Sequence, residues 1–110
     1  MSIKIKDIIV HVIKSDLDVP FAFSQGWVTK RSATLVEIIT NDGLTGWGEA
    51  FCQGLEPPEI SGAVIETALK PLLIEQSPLN IEVLWYKMYN ATRDFGRKGS
   101  VVSGISAVDI

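Results

Sequence analysis

One ten-residue stretch decides the fold of this chain: Asn41-Asp42-Gly43-Leu44-Thr45-Gly46-Trp47-Gly48-Glu49-Ala50. An Asp-Gly pair between two apolar runs predicts a tight β-hairpin, because these residues accept the positive φ angles of that turn. The strand that follows carries glycine at two interior positions, which is typical of close approach by another backbone. Because side chains alternate across a strand, one face is predicted to carry small residues and the other large ones. The small face holds Gly46, Gly48, Ala50 and Cys52, and the large face holds Trp47, Glu49 and Phe51.

Two further strands are predicted upstream of this hairpin. Residues 3–14 alternate in a strand-like pattern, and the pair Lys6-Asp7 interrupts the alternation as a β-bulge does. Residues 31–40 are rich in β-branched side chains, which favour a strand. Residues 15–30 contain proline and glycine and are predicted to form a long connection. Together the three strands predict an antiparallel meander.

Helices are predicted after the strands. Pro58 suits the first turn of a helix, and Pro71 is predicted to end or kink that helix near Lys70. Asn80 is a good N-cap for a second helix, and a third begins near Ser100. Strands followed by helices indicate an α+β fold, here a three-stranded antiparallel meander followed by about three helices. The helices are expected to pack on the small face of the third strand.

Composition narrows the range of function classes. The 110 residues suit one domain, and a net charge of −3 without a basic face gives no indication of nucleic acid binding. The apolar runs are too short for a membrane span, and the first residues lack the apolar segment of a signal peptide. Cys52 is the single cysteine, so no internal disulfide framework is expected. A reduced, cytoplasmic setting is the natural expectation.

The ten-residue stretch also carries a resemblance that continues along almost the whole chain. The matching features are Gly43 to Ala50 after the turn, Arg31 before it, Pro71-Leu72-Leu73, Pro78, Ile81-Glu82, Leu84-Trp85, and Gly104-Ile105-Ser106-Ala107-Val108-Asp109-Ile110. In this order and spacing they resemble the amino-terminal capping domain of the enolase superfamily. The mandelate racemase/muconate lactonizing enzyme branch is the best match.

The resemblance implies a part of an enzyme rather than a whole one. In that family the cap precedes a (β/α) barrel that supplies the Mg²⁺ ligands and the acid/base residues. Residues 1–110 are therefore expected to be the capping domain alone, without catalytic or metal-binding residues of its own, inactive in isolation, and a partner of the missing barrel. The implied parent removes the proton next to a carboxylate and stabilises the enediolate on Mg²⁺. An acid-sugar dehydratase is the leading choice, with a racemase or cycloisomerase as alternatives.

Two segments are implied by the resemblance to face a small carboxylate substrate. The aromatic residues Phe21, Phe23 and Trp27 would wall the cavity from the first loop, and Phe51, Cys52 and Gln53 would approach it from the segment after the third strand. Loops carry function more often than the elements they join. The alternative is that the aromatic side chains simply cover the sheet.

Other candidate residues have structural explanations beside the chemical ones. His11, the only histidine, is expected to be a packed strand residue with one hydrogen bond. Glu49 lies between two aromatic residues and is either an acid or an anchor that accepts hydrogen bonds. Cys52 is expected to act as a small hydrophobe rather than a nucleophile.

A different class of protein also remains open, namely a small non-enzymatic module that binds another protein. For a cap without its barrel, the exposed barrel-facing surface predicts a homo-oligomer or poor solubility.

Overall fold

A computed structural model describes residues 2–23, 26–51, 57–96 and 98–110, with the backbone alone at positions 20, 21, 23, 28 and 29. Its sheet contains three antiparallel strands in the order β1-β2-β3, which confirms the predicted meander. The strands are β1 (Ile5–Phe23), β2 (Gly26–Thr40) and β3 (Thr45–Ala50). Helices follow the strands, so the α+β class is confirmed.

The β2–β3 hairpin forms at the predicted Asp-Gly turn. Gly43 adopts a φ of 90°, a conformation that favours glycine. The Thr40 hydroxyl donates to the Asp42 carboxylate, and the Leu44 amide donates to the Thr40 hydroxyl at 3.1 Å. The Thr40 amide donates to the Leu44 carbonyl at 2.9 Å and closes the turn. Short local hydrogen bonds therefore set the register of β3 against β2.

The predicted long connection at residues 15–30 is wrong, because β1 and β2 run on through most of it as a hairpin arm. Pairing continues from Ser15 with Arg31 to Phe23 with Gly26. The register slips between Asp16 and Phe21, where five steps along β1 oppose two along β2. Pro20, which has no amide hydrogen to donate to a ladder, lies in that irregular stretch. Pairing with a neighbouring strand therefore maintains extended backbone where the side-chain pattern reads as a loop.

The predicted bulge at Lys6-Asp7 is confirmed. The register shifts between Ile5, which is paired with Thr40, and Asp7, which is paired with Ile39. This extra residue turns both Ile5 and Ile8 into the core, although they are three positions apart.

The helical layer consists of α1 (Pro58–Ala63), a π-helical segment (Val64–Leu69), α2 (Lys70–Leu73), α3 (Ile81–Ala91) and α4 (Ser100–Asp109). The helix is predicted to end or kink near Lys70; it does not end there, since helical backbone continues to Leu73, but its hydrogen-bonding pattern changes at Lys70. The Lys70 amide donates to the carbonyl of Ile65, five residues back. This wider turn precedes Pro71, whose ring lacks a donor and clashes with the normal α-helical carbonyl. Asn80 does precede α3, but its side chain makes no capping hydrogen bond.

The core lies between the sheet and the helices, as expected from the small face of β3. The Cβ of a residue at Gly48 would lie 2.0 Å from the carbonyl oxygen of Ala107, so the α4 backbone lies directly against β3. Thr34, fully buried on the same face, donates its hydroxyl to the carbonyl of Pro58 at 2.6 Å. These two contacts fix the position of β2 and β3 relative to α1 and α4. Within the described ranges, none of the helices has the length and apolarity needed to cross a bilayer.

Candidate functional site

The candidate site lies at the end of the sheet formed by the β1–β2 hairpin arm and the end of β3. Trp27 is the second residue of β2 and is 67% exposed. Phe51 directly follows β3 and is 66% exposed. Both large apolar side chains present most of their surface to solvent, so neither is explained by the core of this chain. Their role as walls of a substrate cavity stays a prediction.

The two exposed aromatic residues are not in contact with each other. Ala50, the neighbour of Phe51, pairs with Thr34 on β2. Trp27 lies seven residues further along β2, which corresponds to about 23 Å at a rise of roughly 3.3 Å per residue. The pair therefore brackets a wide surface, and the arm extends well beyond the point where β3 ends.

The other predicted site residues are only partly described. Phe21 and Phe23 belong to β1, where their backbones pair with Val28 and Gly26. Their side chains, and all of Cys52 and Gln53, lie outside what the structure describes. A role for these four residues at the site stays a prediction.

A polar cluster lies on the face of the sheet opposite the helices. His11 Nε2 is 3.2 Å from Glu37 Oε1, and the imidazole stacks on the Trp47 indole with ring centroids 5.4 Å apart. Among the described residues, Glu37 makes the one hydrogen bond to the His11 side chain, as expected, although that side chain is only partly packed. The sequence alone does not identify the cluster as a unit. Alternation along each strand predicts which side chains share a face of the sheet. Only the register between strands, in which Glu37 pairs with both Ile9 and Trp47, shows which of them are neighbours.

Glu49 lies on this same outer face, opposite Leu35. It is exposed, and no residue in the described part of the chain forms a hydrogen bond with its carboxylate. Its predicted role as an anchor for another segment therefore stays a prediction.

The described acidic residues do not fit a magnesium site, which needs several clustered oxygen ligands. No three His, Cys, Asp or Glu side chains come together within the described ranges. Several carboxylates instead form surface pairs: Asp7 with Lys70 at 3.0 Å, and Glu59 with Lys14. The hydrogen bond from Lys70 lowers the pKa of Asp7, and the same contact raises the pKa of Lys70.

Comparison with known proteins identifies relatives over nearly the full length of the chain. The model of the mandelate racemase/muconate lactonizing enzyme N-terminal domain matches residues 4–110. A D-galactarolactone cycloisomerase of Agrobacterium fabrum is 37% identical over 97% of this chain, and an arabinonate dehydratase of Saccharolobus solfataricus is 47% identical over 66%. The chain spans only 27% and 19% of these two relatives.

Solved structures confirm the fold. The 3,6-anhydro-D-galactonate cycloisomerase from Zobellia galactanivorans superposes over 97% of this chain and 26% of its own, with a TM-score of 0.79 and 31% identity. A racemase from Streptomyces coelicolor, solved with bound magnesium, covers 96% of this chain and 29% of its own. Its TM-score is 0.87, and at 24% identity it demonstrates the shared fold alone.

Proposed function

This chain belongs to the N-terminal domain family of mandelate racemases and muconate lactonizing enzymes, and from that premise we propose that it is the substrate-specificity cap of a Mg²⁺-dependent enzyme. In this proposal a C-terminal (β/α) barrel carries the metal ligands and the acid/base residues. The isolated chain is then inactive.

The reaction we propose for the parent enzyme is dehydration of an acid sugar, begun by removal of the proton next to the carboxylate. The 47% identity to an arabinonate dehydratase supports this choice. Cycloisomerisation is the second candidate, because the D-galactarolactone cycloisomerase matches 97% of this chain. Both candidates act on small sugar-derived carboxylates and differ in the step that follows proton removal. The family match favours either enzyme over a protein-binding module.

One observation carries the role of the cap: Trp27 and Phe51 are about two-thirds exposed at the same end of the sheet. When a second domain closes against this end, both side chains lose contact with water and surround part of the enclosed space. Exclusion of water strengthens charge interactions inside a closed site. Closure also selects among substrates by shape, since a bulky aromatic wall admits only compatible chain lengths. The long hairpin arm provides the reach for such a contact.

Site-directed variants of the full-length enzyme test this role. Trp27→Ala and Phe51→Ala are expected to lower kcat/KM by about tenfold or more, a loss of roughly 1.4 kcal/mol, and to change the preference among aldonates. Val83→Ala is the matched control, because Val83 on α3 is as exposed as Phe51, at 66%, but lies on the helical layer. If both aromatic variants keep the wild-type preference and kcat/KM, the cap role is wrong.

The isolated chain provides a separate test. Purified chain with Mg²⁺ and a panel of aldonates is expected to show no dehydration above a buffer control. Measurable turnover would contradict the assignment of catalysis to another domain.

Sedimentation velocity of the same purified chain tests the predicted homo-oligomer. A monomer at high concentration would contradict that prediction. The cytoplasmic setting stays a prediction from the lone cysteine.

A further inference from the structure

An apolar groove of about 420 Å³ lies at the far side of the molecule, between β3, the start of α3 and the end of α4. Most of its wall is carbon, with polar groups from Thr40 and Thr45 on the strand side and from Asp109 on the helix side. Its lining includes Gly46, Trp47, Leu79, Ile81, Val108 and Ile110. Their presence on one concave surface distinguishes the groove from scattered exposed hydrophobic residues, which are normal on proteins.

The groove is continuous with a packing gap in the core. A smaller cavity of about 60 Å³ shares Ile38, Pro78, Ile81 and Val108 with it, and reaches the buried residue Leu84. Protein interiors are close-packed and leave few voids of this kind. A gap that opens from the core into an apolar groove therefore favours an occupant that presents apolar side chains.

We propose that the occupant is the segment that immediately follows α4 in the full-length protein, so that the groove is where the second domain begins to pack on the cap. This inference rests on the proposed function, which supplies that domain. Ile110 lines the groove and is 84% exposed, so any continuation of the chain starts at the groove itself. The relatives are about four times as long as the matched region, since this chain spans 27% of the cycloisomerase. Neither Trp27 nor Phe51 lines this groove.

The glycine at position 46 permits a test in which one substitution has opposite effects in two proteins. A Cβ at Gly46 meets nothing within 4 Å, so Gly46→Leu places its side chain into the empty groove. In the 110-residue chain this filling is expected to raise Tm by about 4 °C or more and to reduce the fluorescence of the apolar dye ANS. In the full-length enzyme the same leucine competes with the native segment, so Tm is expected to fall by a similar amount.

A second variant tests burial without adding volume. Leu79 at the groove rim is 74% exposed, so Leu79→Ser is expected to leave Tm of the 110-residue chain unchanged. The same substitution is expected to lower Tm of the full-length enzyme, because the occupant buries Leu79 there. Val83→Ser is the control in both proteins, because Val83 is similarly exposed on α3 and does not line the groove.

The outcomes separate this proposal from its rivals. If both groove variants have the same effect in the short and the full-length protein, the segment does not occupy the groove. If the short chain is a dimer that Gly46→Leu dissociates, and the full-length enzyme is unaffected, the occupant is a second copy and the proposal is wrong. All readouts are stability and association, so an error in the proposed reaction would leave this result intact.

Discussion

Replacement of Gly48 by alanine tests the contact that joins the sheet to the helical layer. The added Cβ would lie 2.0 Å from the Ala107 carbonyl oxygen and 2.9 Å from its carbon. A carbon and a carbonyl oxygen need about 3.3 Å, so β3 and α4 must separate by roughly 1.3 Å. Extra methylenes in a packed core typically cost about 1–3 kcal/mol. Because the obstacle is backbone and cannot rotate away, we expect a loss near 3 kcal/mol in the free energy of unfolding.

Urea unfolding of the 110-residue chain, followed by far-UV circular dichroism, measures this loss. At a slope of about 1–3 kcal/mol per molar urea, the midpoint is expected to fall by roughly 1–3 M. Gly46→Ala is the matched control, since it lies two residues away on the same strand face and its Cβ meets nothing within 4 Å. Alanine in a strand interior is favoured over glycine by about 0.5–1 kcal/mol, so this control is expected to be neutral or slightly stabilising.

The decisive comparison is between the two glycines. If Gly48→Ala and Gly46→Ala shift the midpoint equally, the close approach of α4 to β3 is refuted. A second check uses the double variant Gly48→Ala/Ala107→Gly. Removal of the Ala107 methyl group leaves its carbonyl in place, so we expect no rescue. Rescue would mean that side-chain crowding, rather than the backbone, limits position 48.

Three further substitutions have defined outcomes. Gly96→Ala is expected to cost about 1–3 kcal/mol, because its Cβ would lie 2.3 Å from a methyl carbon of Val101 and 2.5 Å from the Val101 Cβ; an unchanged urea midpoint would contradict the contact. Thr34→Val removes a fully buried hydroxyl that donates to α1, and is expected to lower the unfolding free energy by about 1–2 kcal/mol in the same assay; an unchanged value is the opposing result. Thr40→Val removes the hydroxyl that lowers the pKa of Asp42, so NMR titration should show this pKa rising toward 3.8. Since the folded-state pKa is depressed, the hydrogen bond stabilises the fold above pH 3.8 and this contribution is lost as pH falls through the folded value; the variant should lack that acid-dependent loss.

The candidate site could be predicted from the sequence only in part. Trp27 and Phe51 are both exposed, and their role at a substrate cavity stays a prediction. Only the strand register shows that Trp27 lies about 23 Å along β2 from Thr34, the partner of Ala50. The cluster of His11, Glu37 and Trp47 likewise needs three strands in register before its members become neighbours. Residues far apart in sequence meet only through pairing, which no local pattern specifies completely.

Local signals in the sequence determined the turn at Asp42-Gly43, the helix start at Pro58 and the bulge at Lys6, because each depends on the backbone preference of one or two residues. Tertiary contacts decided what these preferences leave open. Ladder pairing extends β1 to Phe23 through a stretch that reads as a loop, and helical packing continues past Pro71 because a π-helical turn makes room for its ring. The small face of β3 predicted that something packs closely, but only the structure identifies the partner as the Ala107 carbonyl. Backbone preferences act over a few neighbouring residues. Packing depends on contacts between residues that are far apart in sequence, and these are defined only in the folded chain.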